Sequence, residues 1–159
     1  MSKFQEVPEP DWAKLIPEMK DWNDGAGIDP DGWIQCSGNF QLAVGYTTVF
    51  WPSFVEHDEM VLREGFDSES LADWVRHYAG DKSAVEAMVN HLHIADVHSF
   101  GRSDANRERV IHLGRVLKQV YECKLRLQFP ERDIVVEFDD SPQDDMPTYV
   151  LTFFQHRRG

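Results

Sequence analysis

The stretch at residues 83–98, SAVEAMVNHLHIADVH, constrains the fold of this chain most, because it joins a helical apolar pattern to dense polar side chains. Ser83 followed three residues later by Glu86 has the form of a capping box, in which each side chain satisfies an amide of the first helical turn. Apolar residues then recur at helical spacing, namely Val85, Met88, Val89, Leu92 and Ala95. The pattern predicts a helix over residues 84–97, which we expect to be the most buried helix of the chain.

Four polar residues of this predicted helix are candidates for a small-ligand site: Glu86, Asn90, His93 and Asp96. Nitrogen and oxygen donors spaced by three or four residues on a helix can face a common point, and His93 could then transfer a proton or bind an ion. The other hypothesis is a hydrogen-bonded network that ties the helix to its neighbours, as buried polar groups generally require. We prefer the network, because buried polar networks are commoner than ligand sites.

The histidines of this stretch do not form a recognisable metal-binding motif. The text HLHIADVH departs from the His-x-His-x-Asp-His pattern of metallo-β-lactamase-like hydrolases by an extra residue before the aspartate and another before the last histidine. On a helix, His91 and His93 would point about 200° apart, so they could share an ion only if the segment were a strand or loop. We therefore predict no metal site and no cofactor.

Length and composition indicate an ordinary globular chain. With 159 residues, 42% hydrophobic and 28% charged, the sequence predicts one domain over residues 1–159, with a loose tail at residues 1–10. It has no apolar run near the ~18 residues of a membrane span and no signal-peptide pattern, which predicts a cytoplasmic protein with no membrane partner. The two cysteines, Cys36 and Cys123, are isolated and are expected to be reduced packing residues.

The charge of the chain favours a basic protein as its partner. A formal net charge of −12 excludes nucleic acid as a plausible partner, since such binding depends on many Lys and Arg contacts to phosphate. Residues 133–147 carry six acids and no base, and the segment DDSPQDDMP brings Asp139, Asp140, Asp144 and Asp145 together. Mutual repulsion should keep this loop extended unless a cation or basic partner neutralises it. These four aspartates are the predicted partner-binding residues, although a solvated turn would have the same composition.

Periodicity predicts an α+β fold in the order β-β-α-α-α-β-β after a short amino-terminal helix. Strands are predicted over residues 33–37, 40–51, 134–138 and 149–154, with a short edge strand at 60–62, and helices over residues 69–79 and 84–97 and from residue 103 or 104 to Pro130. The pair Gly38-Asn39 suits a hairpin turn. We expect the amino-terminal and carboxy-terminal hairpins to join into one antiparallel sheet, with the three central helices packed on one face.

Two functions from different classes are compatible with these patterns. The first is a non-enzymatic cytoplasmic protein-binding protein of immunity or regulatory type, and small bacterial immunity proteins are similar in size and charge. The sequence has no Gly-rich phosphate loop, no dinucleotide-binding motif, no His-Glu-x-x-His and no nucleophile elbow. The second is an enzyme or small-ligand protein that uses the four polar residues of the predicted helix. The oligomeric state is not constrained.

Overall fold

The computed structural model describes residues 6–98 and 104–157 and divides the chain into two compact units, residues 1–49 and residues 50–159. Each unit is described by itself below. The prediction of a single domain stays a prediction. The first half of the predicted loose tail, residues 1–5, lies outside the described residues.

The first unit is helical. It contains α1 (Trp12–Leu15), a 3-10 turn (Pro17–Asp21), α2 (Pro30–Ser37) and α3 (Phe40–Phe50), whose last residue lies beyond the unit boundary. The short amino-terminal helix predicted from the sequence is present as α1. The small core of the first unit is formed by Leu15 and Met19.

The amino-terminal β-hairpin predicted over residues 33–37 and 40–51 is wrong, because the structure has the helices α2 and α3 there. Helix α2 begins with a strong local signal: Asp29 accepts a hydrogen bond from the Gly32 amide at 2.7 Å, and Pro30 occupies the first turn. Asn39, which suggested a hairpin turn, instead accepts the Leu42 amide at 2.9 Å as a helix cap does. These caps outweigh the β-propensity of the aromatic and β-branched residues.

The second unit mixes helices and strands. Its elements are β1 (Phe54–His57), β2 (Met60–Arg63), α4 (Ser68–His77), α5 (Lys82–Val89), β3 (Leu92–His93), a 3-10 turn (Ile94–Asp96), α6 (Arg107–Gln128), β4 (Ile134–Phe138), a second 3-10 turn (Met146–Thr148) and β5 (Val150–Gln155). The predicted class, α+β, is therefore confirmed. The predicted helix at residues 69–79 is found as α4. Ser103 lies outside the described residues, and Asn106 caps α6 through the Arg109 amide at 2.9 Å.

The strands form two antiparallel sheets where one was predicted. β1 pairs with β2, and β5 lies between β3 and β4. The carboxy-terminal hairpin predicted from alternating residues is confirmed, with Val136 opposite Phe153. The predicted element order and single sheet are wrong, because the amino-terminal hairpin is helical and the predicted edge strand at residues 60–62 is part of a second hairpin, β1–β2.

The core of the second unit lies between α6 and the strands. Leu117, Tyr121 and Leu125 of α6 are fully or almost fully buried. The Phe54 ring meets the rings of Tyr121 and Phe153 edge to face, at centroid distances of 5.4 and 5.0 Å. Such pairs add about 0.5–1.5 kcal/mol to the burial of the rings. A neighbouring apolar cluster joins β2, α4 and α5 through Met60, Leu62, Leu71 and Val85.

The helix predicted over residues 84–97 is shorter than its apolar spacing indicated. Helix α5 begins at Lys82 and is capped by Asp81, which accepts the amides of Ser83 and Ala84 at 3.1 and 3.2 Å. The helix ends at Val89, and Leu92–His93 pair with β5 as strand β3. Pairing with a distant strand has therefore overridden the local helical period. The predicted capping box is wrong as well, since Glu86 makes its hydrogen bonds with other elements.

Candidate functional site

The densest polar cluster of the chain joins α5 to the ends of β2 and β5. We call it the α5 network and define it as Glu86, Asn90, Gln155 and Arg157. The Glu86 side chain is fully buried and accepts the Val61 amide at 2.7 Å and the Gln155 amide at 2.9 Å. It also accepts the Gln155 side-chain amide at 2.6 Å and the two terminal nitrogens of Arg157 at 2.8 and 3.2 Å. A buried carboxylate is stable here because it has a cation and several donors.

Asn90, the residue that follows the last residue of α5, is the second fully buried polar side chain of the network. Its oxygen accepts the Arg63 amide at 3.0 Å. Its nitrogen donates to the carbonyl oxygens of Val61 at 2.8 Å and Phe153 at 3.1 Å. Both amide hydrogens are thus used by the backbone, which leaves this buried side chain no hydrogen to donate to a ligand.

The α5 network connects strands of two different sheets. β2 belongs to the two-stranded sheet and β5 to the three-stranded sheet, so no strand ladder joins them. Glu86 and Asn90, one turn apart on α5, bond the backbone of both strands in place of such a ladder. This saturation by backbone groups is the arrangement expected of a structural network rather than of a ligand site.

The other two predicted ligand residues are not part of this network. His93 lies on β3, where its Nδ1 is 2.7 Å from the carbonyl oxygen of Pro147, and Asp96 lies in the following 3-10 turn. None of the hydrogen bonds that Glu86 or Asn90 makes with the described residues goes to His93 or Asp96. The structure therefore brings Glu86 and Asn90 together and leaves His93 and Asp96 on other elements. The expected convergence depended on a helix that does not continue past Val89.

Strand β3 brings together the two histidines that a helix would have separated. The rings of His91 and His93 lie 5.1 Å apart at their centroids and are almost perpendicular. Each Nδ1 faces a backbone carbonyl oxygen, of Met88 and of Pro147 respectively, and because a carbonyl can only accept, each Nδ1 is the donor. Within residues 6–98 and 104–157, however, no group of three or more His, Cys, Asp and Glu side chains could hold a metal ion. Two histidines alone supply fewer ligands than protein zinc sites use.

The four aspartates predicted to bind a partner lie on the loop that joins β4 to β5. We call residues 139–145 the acidic loop. Asp139 accepts hydrogen bonds from the Ser141 amide at 2.9 Å and from the Gln143 side chain at 3.0 Å. Hydrogen bonds from Ser141, with a smaller contribution from Gln143, hold the pKa of Asp139 below its ordinary value. Asp140 forms an ion pair with Arg115 at 2.7 Å.

The acidic loop is also held in shape by hydrogen bonds that do not involve its carboxylates. The Arg107 side chain donates to the Gln143 carbonyl at 2.7 Å, and the Gln143 amide donates to the Tyr149 hydroxyl at 3.1 Å. Asp144 and Asp145 are exposed beyond these anchors. The loop is therefore folded around hydrogen bonds, whereas repulsion alone would only have kept it extended.

A surface that the sequence patterns did not predict lies on α2 and α3. Both helices leave large apolar side chains in solvent, and a groove of about 460 Å³ is lined by residues from the end of α2 and the start of α3. The β-hairpin predicted for these residues gave no indication of this surface, because strands at these positions would have placed half of the side chains in the core.

Comparison with known proteins supplies no functional information. No protein-family model, no curated protein and no solved structure matches this chain. In the part of the chain that the structure describes, no helix is both long enough and apolar enough to cross a membrane.

Proposed function

We propose that this chain is a non-enzymatic binding protein that engages a basic protein through Asp139, Asp140, Asp144 and Asp145 of the acidic loop. The observation that carries the proposal is the anchoring of this loop by Arg107, Gln143 and Tyr149, with Asp144 and Asp145 exposed beyond the anchors. A loop that is already ordered loses less conformational entropy when it binds. Exposed carboxylates of one sign also accelerate encounter with an oppositely charged surface.

The chemistry of the α5 network also supports binding over catalysis. Glu86 and Asn90 are closed to solvent and are hydrogen-bonded to backbone amides and carbonyls. A general acid or base must reach a substrate proton within about 3 Å, and these two groups have no free path to one. The cytoplasmic location and the immunity or regulatory type remain predictions from the sequence.

The alternative function is an enzyme or small-ligand protein with a site around Glu86, Asn90, His93 and Asp96. The observation that favours part of it is the proximity of the His91 and His93 rings, whose centroids lie 5.1 Å apart. Thermal unfolding with added ZnCl2 or NiCl2 tests it. A rise in Tm that disappears in His91→Ala and His93→Ala would favour the alternative.

The main test is affinity capture with the full chain as bait. The bait is incubated with extract of the native cells over a ladder of NaCl concentrations, beside a variant in which Asp139, Asp140, Asp144 and Asp145 are all changed to Asn. We expect a basic protein to be retained at low salt, released as salt rises, and lost with the variant, because the contact depends on charge.

A matched control removes the same amount of charge elsewhere. Glu6→Gln, Glu9→Gln, Asp21→Asn and Asp24→Asn neutralise four exposed carboxylates of the first unit. This control should retain the partner. If it loses the partner as fully as the loop variant does, net charge alone accounts for the binding and the acidic loop is not the site. If no salt-sensitive basic protein is captured by the wild-type bait, the proposed function is wrong.

A further inference from the structure

Helices α2 and α3, residues 30–37 and 40–50, form what we call the helical hairpin, and neither helix has a buried residue. Phe40 is 90% exposed, Val44 68% and Ile34 60%. Large apolar side chains are normally exposed singly on a protein surface, whereas these three share two adjacent helices. Among the described residues, these three side chains are mostly exposed, so the helical hairpin presents an apolar surface to solvent.

The helices of the hairpin are too short to be stable without packing. They have 8 and 11 residues. Isolated helices shorter than about 12–15 residues are marginal in water even when their sequences favour helix. Helix α3 also contains Val44, Gly45, Thr47 and Thr48, all of which are poor helix formers. Stability of this hairpin requires that something cover its apolar face.

Charge distinguishes a second copy of the chain from a basic partner as that cover. Residues 32–55 contain no Asp, Glu, Lys, Arg or His, although the whole chain has a net charge of −12. Two strongly acidic chains can approach each other most closely where neither carries charge. Residues 32–55 offer no carboxylate to a basic protein, so electrostatic attraction would not direct such a protein to the helical hairpin.

The shape of the hairpin also suits contact with an identical surface. The groove of about 460 Å³ is lined by Trp33, Ile34, Phe40, Leu42 and Tyr46, among others. Phe40 projects almost fully into solvent from the start of α3. A two-fold interface uses the same patch on both chains, so a patch that holds both a projecting ring and a groove can complement itself.

We propose that the helical hairpin is a dimerisation surface, on which two copies of this chain pack hairpin against hairpin and each Phe40 ring enters the groove of the other copy. The four helices then bury the apolar face that either hairpin alone leaves exposed. This inference is independent of the acidic loop and of its partner.

Sedimentation velocity over a range of protein concentrations tests the proposal. We expect a monomer–dimer equilibrium in the wild type. Phe40→Glu and Ile34→Glu should each raise the dimer Kd about tenfold or more, because a carboxylate would be buried without a partner. Leu127→Glu is the matched control: Leu127 is a 74% exposed apolar residue of α6, and this variant adds the same charge outside the hairpin. It should leave the Kd within about twofold of the wild type, which is under about 0.5 kcal/mol.

Salt separates this interface from the proposed basic partner. Added NaCl should strengthen dimerisation, because it screens the repulsion between two chains of net charge −12, whereas it should weaken capture of a basic protein. A chain that dimerises but captures no partner would support this inference and refute the proposed function. The opposite result would refute only the inference.

A spin label on Cys36 gives a second, structural measurement. Cys36 is exposed on α2, contrary to the packing role predicted for it, and Cys123→Ser leaves it as the single thiol. A nitroxide at Cys36 should show dipolar coupling at dimer concentrations and lose it in Phe40→Glu. A protein that stays monomeric at all concentrations would overturn the proposal. Hydrogen exchange of the α3 amides, whether slow or fast, would not alter that conclusion. A dimer that Phe40→Glu and Ile34→Glu leave intact would overturn the proposal as well.

Discussion

Gly114 of α6 lies so close to the ring of Phe138 on β4 that a Cβ atom at position 114 would overlap the ring carbons. Among the described glycines of the second unit, only Gly114 has other atoms within 4 Å of the place that a Cβ would take. A glycine inside a helix normally costs about 0.5–1 kcal/mol relative to alanine. Here the missing side chain allows the helix to pack on the sheet.

Gly114→Ala should therefore destabilise the protein, although it improves helix propensity. We expect a loss of about 1–3 kcal/mol in the free energy of unfolding, the usual cost of an overpacked core. Urea unfolding followed by circular dichroism measures it. The double variant Gly114→Ala with Phe138→Leu should recover part of the loss, and strictly additive effects of the two substitutions would contradict this account.

Asn90→Asp is the sharpest test of the α5 network. The change preserves the size of the side chain but replaces a nitrogen that donates to Val61 and Phe153 with an oxygen that repels both carbonyls. We expect a loss of about 3 kcal/mol or more, because a buried group is left unsatisfied and charged. Chemical denaturation measures the loss.

Asn39→Asp makes the same chemical change at an exposed position and serves as the control. Asn39 accepts the Leu42 amide at a helix start, and asparagine and aspartate are about equal as helix caps. Its effect on unfolding should be small. Equal effects of the Asn39 and Asn90 substitutions would mean that the α5 network contributes little to the fold.

Tyr121→Phe should preserve or raise stability. The Tyr121 hydroxyl is buried and has no hydrogen-bond partner among the described residues, so its removal should relieve a desolvation cost of about 1 kcal/mol. Burial raises the pKa of Tyr121 above its ordinary value of about 10, with the charge of Arg63 acting in the opposite direction. The unfolded chain then loses this proton first as pH rises, so stability should fall above about pH 10 in the wild type and less in Tyr121→Phe. A clear loss of stability in Tyr121→Phe at neutral pH would reveal a hydroxyl partner.

His112 should make the protein less stable in mild acid. Burial, together with the positive charge of Arg115, lowers the pKa of His112 below its ordinary value of about 6.5. Between the lowered pKa and about 6.5, the unfolded chain binds more protons than the folded chain, so stability falls as pH drops through that range. Thermal unfolding between about pH 8 and pH 5.5 should show a shallower fall in His112→Gln than in the wild type. Parallel curves for the two proteins would exclude this role for His112.

The parts of the fold that local pattern could predict are those in which local and long-range preferences agree. The alternation over residues 134–138 and 149–154 predicted the hairpin of β4 and β5, and α4 followed from its apolar stripe. In contrast, α5 ends at Val89, beside which Asn90 accepts one hydrogen bond and donates two, with partners 27, 29 and 63 positions away in the chain. The helical spacing of apolar residues cannot predict contacts with residues so distant in the chain.

The sequence could predict two residues of the candidate site but not the groups with which they form hydrogen bonds. Glu86 and Asn90 stand one helical turn apart in sequence, which marked them as neighbours. These side chains bond the backbone rather than a ligand because β2 and β5 pack next to them, and that packing is not visible in the local sequence. At the helical hairpin the aromatic and β-branched residues favour strands, and this propensity outweighed the local helix-start signals at Asp29 and Asn39 in the prediction.

The central position of β5 has a consequence for the order in which this protein can be made. Helix α5 leaves the ribosome well before β5, yet Glu86 bonds an amide 69 residues further along the chain. Strands β3 and β4 likewise have only β5 as their neighbour in the sheet. The three-stranded sheet and the hydrogen bond of Glu86 to β5 can therefore form only after β5 has been synthesised, and contacts of such long range close slowly. A nascent chain stalled before Val150 should hold its apolar helices open to chaperones and proteases until the last strand arrives.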